Sequence, residues 1–236
     1  RGTNYKSIIT KTSDYIGLSK EFVQTFVDLH RIDINESGLI DFGNPEGYNT
    51  RQVKGWSKRY LNSKTEEISE INFVIKWLND NIVQSRFESL IHNDFKYDNL
   101  VLDPLSLNVI SVLDWEMSTI GDPFMDLGTS LAYWIQNDDP DFIKSIHLNI
   151  TSEKGNPSRG EILKLYQNNF GHEIDNIVFY FTYGLFKIAV IVQQIYFRYK
   201  NGLTKDTRFK DLDKVVKAYG KMAKQSIQKN KIECLF

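Results

Sequence analysis

Residues 92–99 read HNDFKYDN, which sets His92, Asp94 and Asn99 at fixed intervals, and a further acid, Asp114, follows fifteen residues after the asparagine. A carboxylate can orient a hydroxyl and accept its proton. An amide oxygen and a second carboxylate are the hard ligands that suit a Mg²⁺ ion bridging nucleotide phosphates. Phosphoryl transfer asks for little more than this set. Lys96, two residues after Asp94, is placed to neutralise charge on the transferred group.

The spacing H-x-D-x4-N matches the catalytic loop of protein kinases, H-R-D-L-x-x-x-N, and Asp114 falls where the second metal-binding Asp follows that loop. Five longer stretches carry a wider likeness: LSKEFVQTFVDLHRID (18–33), GLIDFGNPEGYNTRQVKGW (38–56), HNDFKYDNLVLDP (92–104), VISVLDWEMSTIGDPFMDLG (109–128) and GLFKIAVIVQQIYFRY (184–199). On these residues the chain resembles the aminoglycoside phosphotransferase-like, or choline kinase-like, small-molecule kinases. Within them it resembles the branch also found fused to acyl-CoA dehydrogenases, and the match covers nearly the whole chain. The resemblance implies a kinase C-terminal lobe with Asp94 as catalytic base, Asn99 and Asp114 as Mg²⁺ ligands, and Asp126 as a buried acid bracing the loop. It also implies ATP and Mg²⁺ as cofactors and a hydroxyl-bearing small molecule as acceptor: an aminoglycoside, a choline-like alcohol or a hydroxyacyl-CoA, with a metabolic alcohol favoured over an antibiotic. One departure is visible, since the family usually has Gly where this chain has Asn93. Asn tolerates the left-handed backbone better than most residues, so the loop is expected to survive.

Other polar residues carry weaker expectations. His92 reads as a loop brace rather than a proton carrier, Lys96 divides evenly between phosphate contact and solvated surface, and Asp122 reads as a helix cap. His30 shares a helical face with Phe26 and Val27, so a packed, hydrogen-bonded core histidine is expected. Tyr183, Lys187, Gln194 and Arg198 recur at steps of four, seven and four on one face of a long helix, where they line either an acceptor pocket or solvent. Tyr183, Lys187 and Arg198, together with Glu116, are the candidate substrate contacts. Gly38 and Gly43 have phosphate-loop spacing, but Asn44-Pro45 stands where that loop needs Lys and a hydroxyl residue. Phe73-Val74-Ile75-Lys76 superficially matches a kinase's nucleotide-lysine strand, yet it lies in a helical period, which makes Lys76 a surface residue.

The elements that must position these groups follow from periodicity. Apolar residues at helical steps predict helices over Ser19–His30, from Pro45 or Glu46 to Leu61, and over Glu66–Val83. Short apolar runs at Ser89–His92, Leu100–Leu102 and Val109–Leu113 predict strands. Asp122-Pro123 is a helix start, and further helices are expected over Pro123–Ile135, Arg159–Phe170, Asp175–Lys200 and Asp206–Gln228. The expected fold class is α+β and mostly helical: a protein-kinase-like C-lobe in which a small β-hairpin patch carries the catalytic loop. It forms one lobe over 1–236, with helical regions at 1–85 and 129–236 around a catalytic and metal-binding segment at 86–128.

Composition supports a folded chain. The 236 residues include 41% apolar types and 15 Phe, and mean hydropathy is -0.37 at a formal charge of -1, neither of which marks disorder. With 29 Lys+Arg against 30 Asp+Glu, no basic excess points to nucleic acid. Lys187 in the middle of the apolar window Phe179–Phe197 argues for a core helix over a membrane span. A single Cys, Cys234, fits a reducing, cytoplasmic setting. No G-x-G-x-x-G and no strand-borne Lys precede the catalytic loop, and residue 1 is Arg, so the N-terminal lobe is expected to be a missing partner and this chain alone inactive. The alternative is a non-catalytic kinase-like binding module. Metal-dependent hydrolysis through His92, Asp94 and Asp114 lacks the additional ligands of a two-metal site.

Overall fold

The computed structural model describes residue 9, residues 11–145 and residues 150–236. Eight helices and four short strands occur among them: α1 (Thr12–His30), α2 (Tyr48–Ser63), α3 (Ser69–Asp80), β1 (Ser89–Ile91), β2 (Leu100–Leu102), β3 (Val109–Val112), β4 (Thr119–Gly121), α4 (Pro123–Tyr133), α5 (Asp141–Lys144), α6 (Arg159–Phe170), α7 (Ile177–Lys200) and α8 (Leu212–Lys229). The α+β, mostly helical class is as expected. The β patch holds a fourth strand beyond the three expected, and its strands form two separate pairings. Only β2 and β3 form a hairpin, while β1 pairs antiparallel with β4, Leu90 opposite Ile120. That second pairing spans the whole catalytic segment and clamps its two ends together. Thr119–Gly121 gives no alternation to read in the sequence, since three residues are too few to show a period.

Helix boundaries moved where local capping outweighs periodicity. α1 begins seven residues before Ser19, and the Asp14 carboxylate accepts from the Lys11 amide at its start (2.9 Å). α6 runs over the expected residues because Ser158 and Glu161 form a reciprocal capping box at 3.1 and 2.7 Å. α5 lies in the stretch between two expected helices, where none was expected, and the last helix is split into a short 3-10 turn at Thr207–Phe209 and α8.

The core is organised around α7, which is buried from Val178 through Val190 and packs against α2, α3, α4 and α8. It is the apolar window of the sequence, placed inside the protein. Its contact with α4 is backbone on backbone: a Cβ at Gly128 would lie 2.8 Å from Tyr180 Cβ and closer still to the Tyr180 carbonyl, and one at Gly184 would meet the Gly128 carbonyl. This close approach brings the acids at the start of α4 up against the middle of α7. Gly128→Val should therefore cost about 3 kcal/mol. Gly17→Ala, on the exposed face of α1 with open space around it, should gain about 0.5–1 kcal/mol. Urea midpoints check both, and equal midpoints for the two variants would contradict the packing described.

Candidate active site

Burial alternates along the loop that leads into the 3-10 turn Tyr97–Asn99. Phe95 and Tyr97 turn inward and are buried, with Phe95 stacked on Phe26 of α1 at 4.2 Å and Tyr97 packed on Phe22 and Trp134. Burying each such ring contributes about 2–3 kcal/mol. Asp94 and Lys96 are thereby turned outward to a partly open surface, their side chains 14% and 22% exposed. The core thus holds the Asp94 carboxylate at the surface.

Asp94 Oδ2 accepts from Lys96 Nζ at 2.7 Å and from Asn99 Nδ2 at 2.9 Å, and its backbone carbonyl accepts from the same Asn99 amide at 2.8 Å. Asn99 has therefore committed its donor to Asp94 and keeps Oδ1 for a cation. The Asn99 carbonyl accepts from the Leu113 amide (2.8 Å), which sets Asp114 one residue beyond that contact. Asp114 adopts a left-handed backbone (φ 67°), and its exposed carboxylate has no protein partner among the described residues. An amide oxygen and an unpaired carboxylate form a hard, sparse donor set that suits Mg²⁺, which retains waters and takes substrate phosphates as its remaining ligands. The two residues predicted as metal ligands fit that ion.

Below this surface lies the brace. Asp126 is fully buried; Oδ2 accepts from the His92 amide (2.6 Å) and Oδ1 from the Asn93 amide (2.8 Å). His30 Nε2 stands 3.3 Å from Oδ2, and its Nδ1 is 2.7 Å from Tyr166 Oη. The expected loop-bracing acid and core histidine are thus one chain of contacts. His92 is a brace as well: Nε2 meets the Leu113 carbonyl at 2.9 Å and Nδ1 accepts from the Asp94 amide at 3.2 Å. It joins the loop that carries Asp94 to the one that carries Asp114. Asp122 is more than a helix cap. One oxygen accepts from the Phe124 amide, as capping requires; the other holds Asn49 of α2 (2.7 Å) and Tyr180 of α7 (3.4 Å), and burial raises its pKa.

Asn93 has φ 66°, the left-handed conformation its type was expected to tolerate. Its side chain lies against Tyr48 Oη and donates to the Met117 carbonyl (3.1 Å), ties that Gly could not make. Lys187 is neither solvated nor freely available to a substrate. It is 1% exposed and donates to the Asn93 carbonyl (2.7 Å) and Oδ1 (3.2 Å), so α7 holds the catalytic loop from behind. Tyr183 is fully buried, its hydroxyl 3.4 Å from Gln52 Oε1. Arg198 is exposed eleven residues beyond Lys187, roughly 16 Å further along the axis, and does not reach the site. The shared helical face was real, but its far end overshoots. Glu116 is exposed in the turn after Asp114 and is not among the residues that line a cavity with Lys187. Lys96 is the Asp94 partner just described, and Lys76 is a surface residue paired with Asp80.

Two contributions had escaped the sequence reading. Tyr133, at the end of α4, hydrogen-bonds Asp94 and lies under the Lys96 ammonium (4.7 Å to the ring centroid); burial first, then the Asp94 charge, raises its pKa, so it remains a phenol donor. Nothing local in the sequence marks it. The second is a cavity of about 320 Å³ between α2 and the catalytic segment. α2 lines it with Tyr48, Arg51, Gln52, Trp56 and Arg59, and Asn93, Met117, Thr119 and Lys187 close the other side. Tyr48, Gln52, Trp56 and Arg59 recur at steps of four, four and three, and Arg51 lies beside Gln52 on the same face.

Burial pushes the Lys187 ammonium down to about 8, against the opposing pull of Asp126 and Asp94. In the unfolded chain a lysine titrates near 10.4. Between about pH 8 and 10 the unfolded state therefore binds more protons, and this group's contribution to stability rises with pH. Wild type should gain stability relative to Lys187→Met across that interval in urea titrations. A constant difference between the two would contradict this.

Comparison with known proteins agrees with the geometry. The description "Phosphotransferase enzyme family" matches residues 17–148, from α1 through the site to just beyond α5. The chain belongs to this phosphotransferase family. It is 32% identical over 85% of its length to mouse acyl-CoA dehydrogenase family member 10 and 37% identical over 76% to rat acyl-CoA dehydrogenase family member 11, spanning only 19% and 23% of those proteins. A solved structure from Ralstonia eutropha JMP134, provisionally assigned as an aminoglycoside phosphotransferase, superposes with a TM-score of 0.82 at 29% identity, over 93% of this chain and 67% of that one. A macrolide 2'-phosphotransferase type I shares the fold at TM-score 0.55 and 16% identity, over 92% of this chain and 60% of that one. The residues of this phosphotransferase-family chain that meet at the site, Asp94, Asn99 and Asp126, all lie inside the matched segment, as does Asp114.

Proposed function

We propose that the protein carrying this chain is a small-molecule kinase that transfers the γ-phosphoryl group of Mg-ATP to a hydroxyl acceptor, with its catalytic loop on this chain. The single observation that supports this most is the joining of Asp94 to Asn99 and Lys96 at 2.7–2.9 Å at a partly open surface, with the unpaired Asp114 carboxylate one residue past the Leu113–Asn99 backbone hydrogen bond. Asp94 orients the acceptor hydroxyl and takes its proton as the oxygen bonds to phosphorus and the bond from phosphorus to the ADP oxygen breaks. Lys96, fixed between Asp94 and the Tyr133 ring, sits where it can meet charge on the transferred group. Bound Mg²⁺, held by Asn99 and Asp114, would offset phosphate charge. His92, Asp126 and Lys187 keep the loop rigid and take no part in bond changes.

Because the chain spans about a fifth to a quarter of the curated relatives' length, further parts of the nucleotide cradle, including an N-terminal lobe, are assigned to sequence outside it, and the chain alone is expected to be inactive. The cytoplasm is the proposed compartment, in keeping with a single free Cys. The names of the relatives favour a metabolic alcohol, hydroxyacyl-CoA among them, over an antibiotic. A phosphorylation screen of the full-length protein against hydroxyl metabolites, CoA thioesters included, tests the reading. Acceptor-dependent ADP release that is lost in Asp114→Asn is the expected result; the absence of any acceptor, with Mg-ATP bound, would favour a binding module instead.

A further inference from the structure

The cavity between α2 and the catalytic segment has an unbalanced charge. Arg51, Arg59 and Lys187 line it, and no Asp or Glu does. Arg51 donates to the backbone carbonyls of Glu46 and Asn44, which satisfy part of its fork without neutralising it. Arg59 lies over the Trp56 ring at 4.6 Å, and Lys187 stands 5.9 Å from the same ring. Neither arginine has a carboxylate partner among the described residues, and both are exposed on the cavity side of one helix. The carboxylates whose charge reaches Tyr48, Asp122 and Asp126, are buried behind the lining and already committed to Asn49, Phe124, His30 and the loop amides. A guanidinium held over an aromatic face and presented without a counterion is a ready fork for a carboxylate or phosphate.

Resting on the kinase reading above, we infer that this cavity is the acceptor pocket and that it selects acceptors carrying an anionic group, held by Arg51 and Arg59 while the hydroxyl points toward Asp94. The cavity shares Asn93, the residue before Asp94 in the chain, with the catalytic loop. Its volume of about 320 Å³ is at the small end of ligand sites and suits a carboxylate or phosphate with a short hydroxyl-bearing stem. Polycationic acceptors meet like charge there and are excluded, because juxtaposed like charges oppose binding.

The test uses the full-length protein and four compounds with matched hydroxyls: 3-hydroxybutyrate, its CoA thioester, its methyl ester and 4-aminobutan-2-ol. Expected is at least a tenfold preference in kcat/KM for an anionic member over the ester and the amine. The Arg51→Ala/Arg59→Ala variant should erase that preference through KM, and Arg→Lys at both positions should restore part of it. Preference for the acid over the thioester would place the recognised anion on the acceptor itself; the reverse would place it on the phosphates. Equal or faster turnover of ester or amine, or a preference that survives in the double variant, would overturn the inference while leaving the kinase reading standing. If none of the four is phosphorylated, the same compounds are tried as protectors of Arg51 and Arg59 against phenylglyoxal, read by peptide mass. Slower modification with an anion but not with the ester is expected. Protection by neither anion would overturn the inference, whereas protection without any acceptor in the wider screen would leave the pocket and remove the kinase.

Discussion

Asp94→Asn in the full-length protein should lower phosphoryl transfer by about 10²–10⁴-fold, the usual contribution of a positioned general base. The substitution keeps the shape of the side chain and its place between Lys96 and Asn99 but removes its ability to take a proton. The KM for Mg-ATP should change little, because Asp94 faces the acceptor. Steady-state ADP release against acceptor concentration separates the two parameters. A loss below tenfold would mean that Asp94 orients the hydroxyl without receiving its proton.

The largest effect on stability is expected from Asp126→Asn. Both Asp126 oxygens accept backbone amides, at 2.6 and 2.8 Å, and Oδ2 also faces His30. An Asn in that place must turn its NH₂ toward one of those amides inside a fully buried site. Breaking a buried charged network of this kind costs about 3–5 kcal/mol, a large share of a typical domain's stability. Urea unfolding should show the loss. Turnover in the full-length protein should fall with it, since the amides of His92 and Asn93 would no longer be fixed. An unfolding midpoint close to wild type would show that the loop is held mainly by Lys187 and His92.

The fold was legible in the sequence where a period ran long enough to show. α6 and α7 came within two residues of their predicted ends, and the catalytic loop was legible because chemistry fixes both its residue types and its spacing. What escaped was set by tertiary contact. β4 exists because β1 lies beside it, not because Thr119–Gly121 prefers a strand. Lys187 read as lining either an acceptor pocket or solvent, yet the approach of α4 to α7 through Gly128 and Gly184 buries that face and turns the lysine onto Asn93. Tyr133 meets Asp94 across nearly forty residues of chain, a distance no local pattern reports. Arg51 and Arg59 were visible as residues but not as a pair facing a cavity, because their meaning depends on what α2 packs against.

Mn²⁺ binding tests the central claim most directly, since it asks whether this chain's own oxygens complete a metal site. Mn²⁺ in place of Mg²⁺ is titrated with ATP into the full-length protein and followed by electron paramagnetic resonance, comparing wild type with Asp114→Asn, Asn99→Ala and the exposed neighbour Glu116→Gln. If Asn99 and Asp114 are the ligands, affinity for the metal–nucleotide complex falls at least tenfold in the first two variants and stays at the wild-type value in Glu116→Gln. Equal affinity in all four proteins would contradict the assignment of the metal to this site, and with it the account of Asp94 as the base beside it.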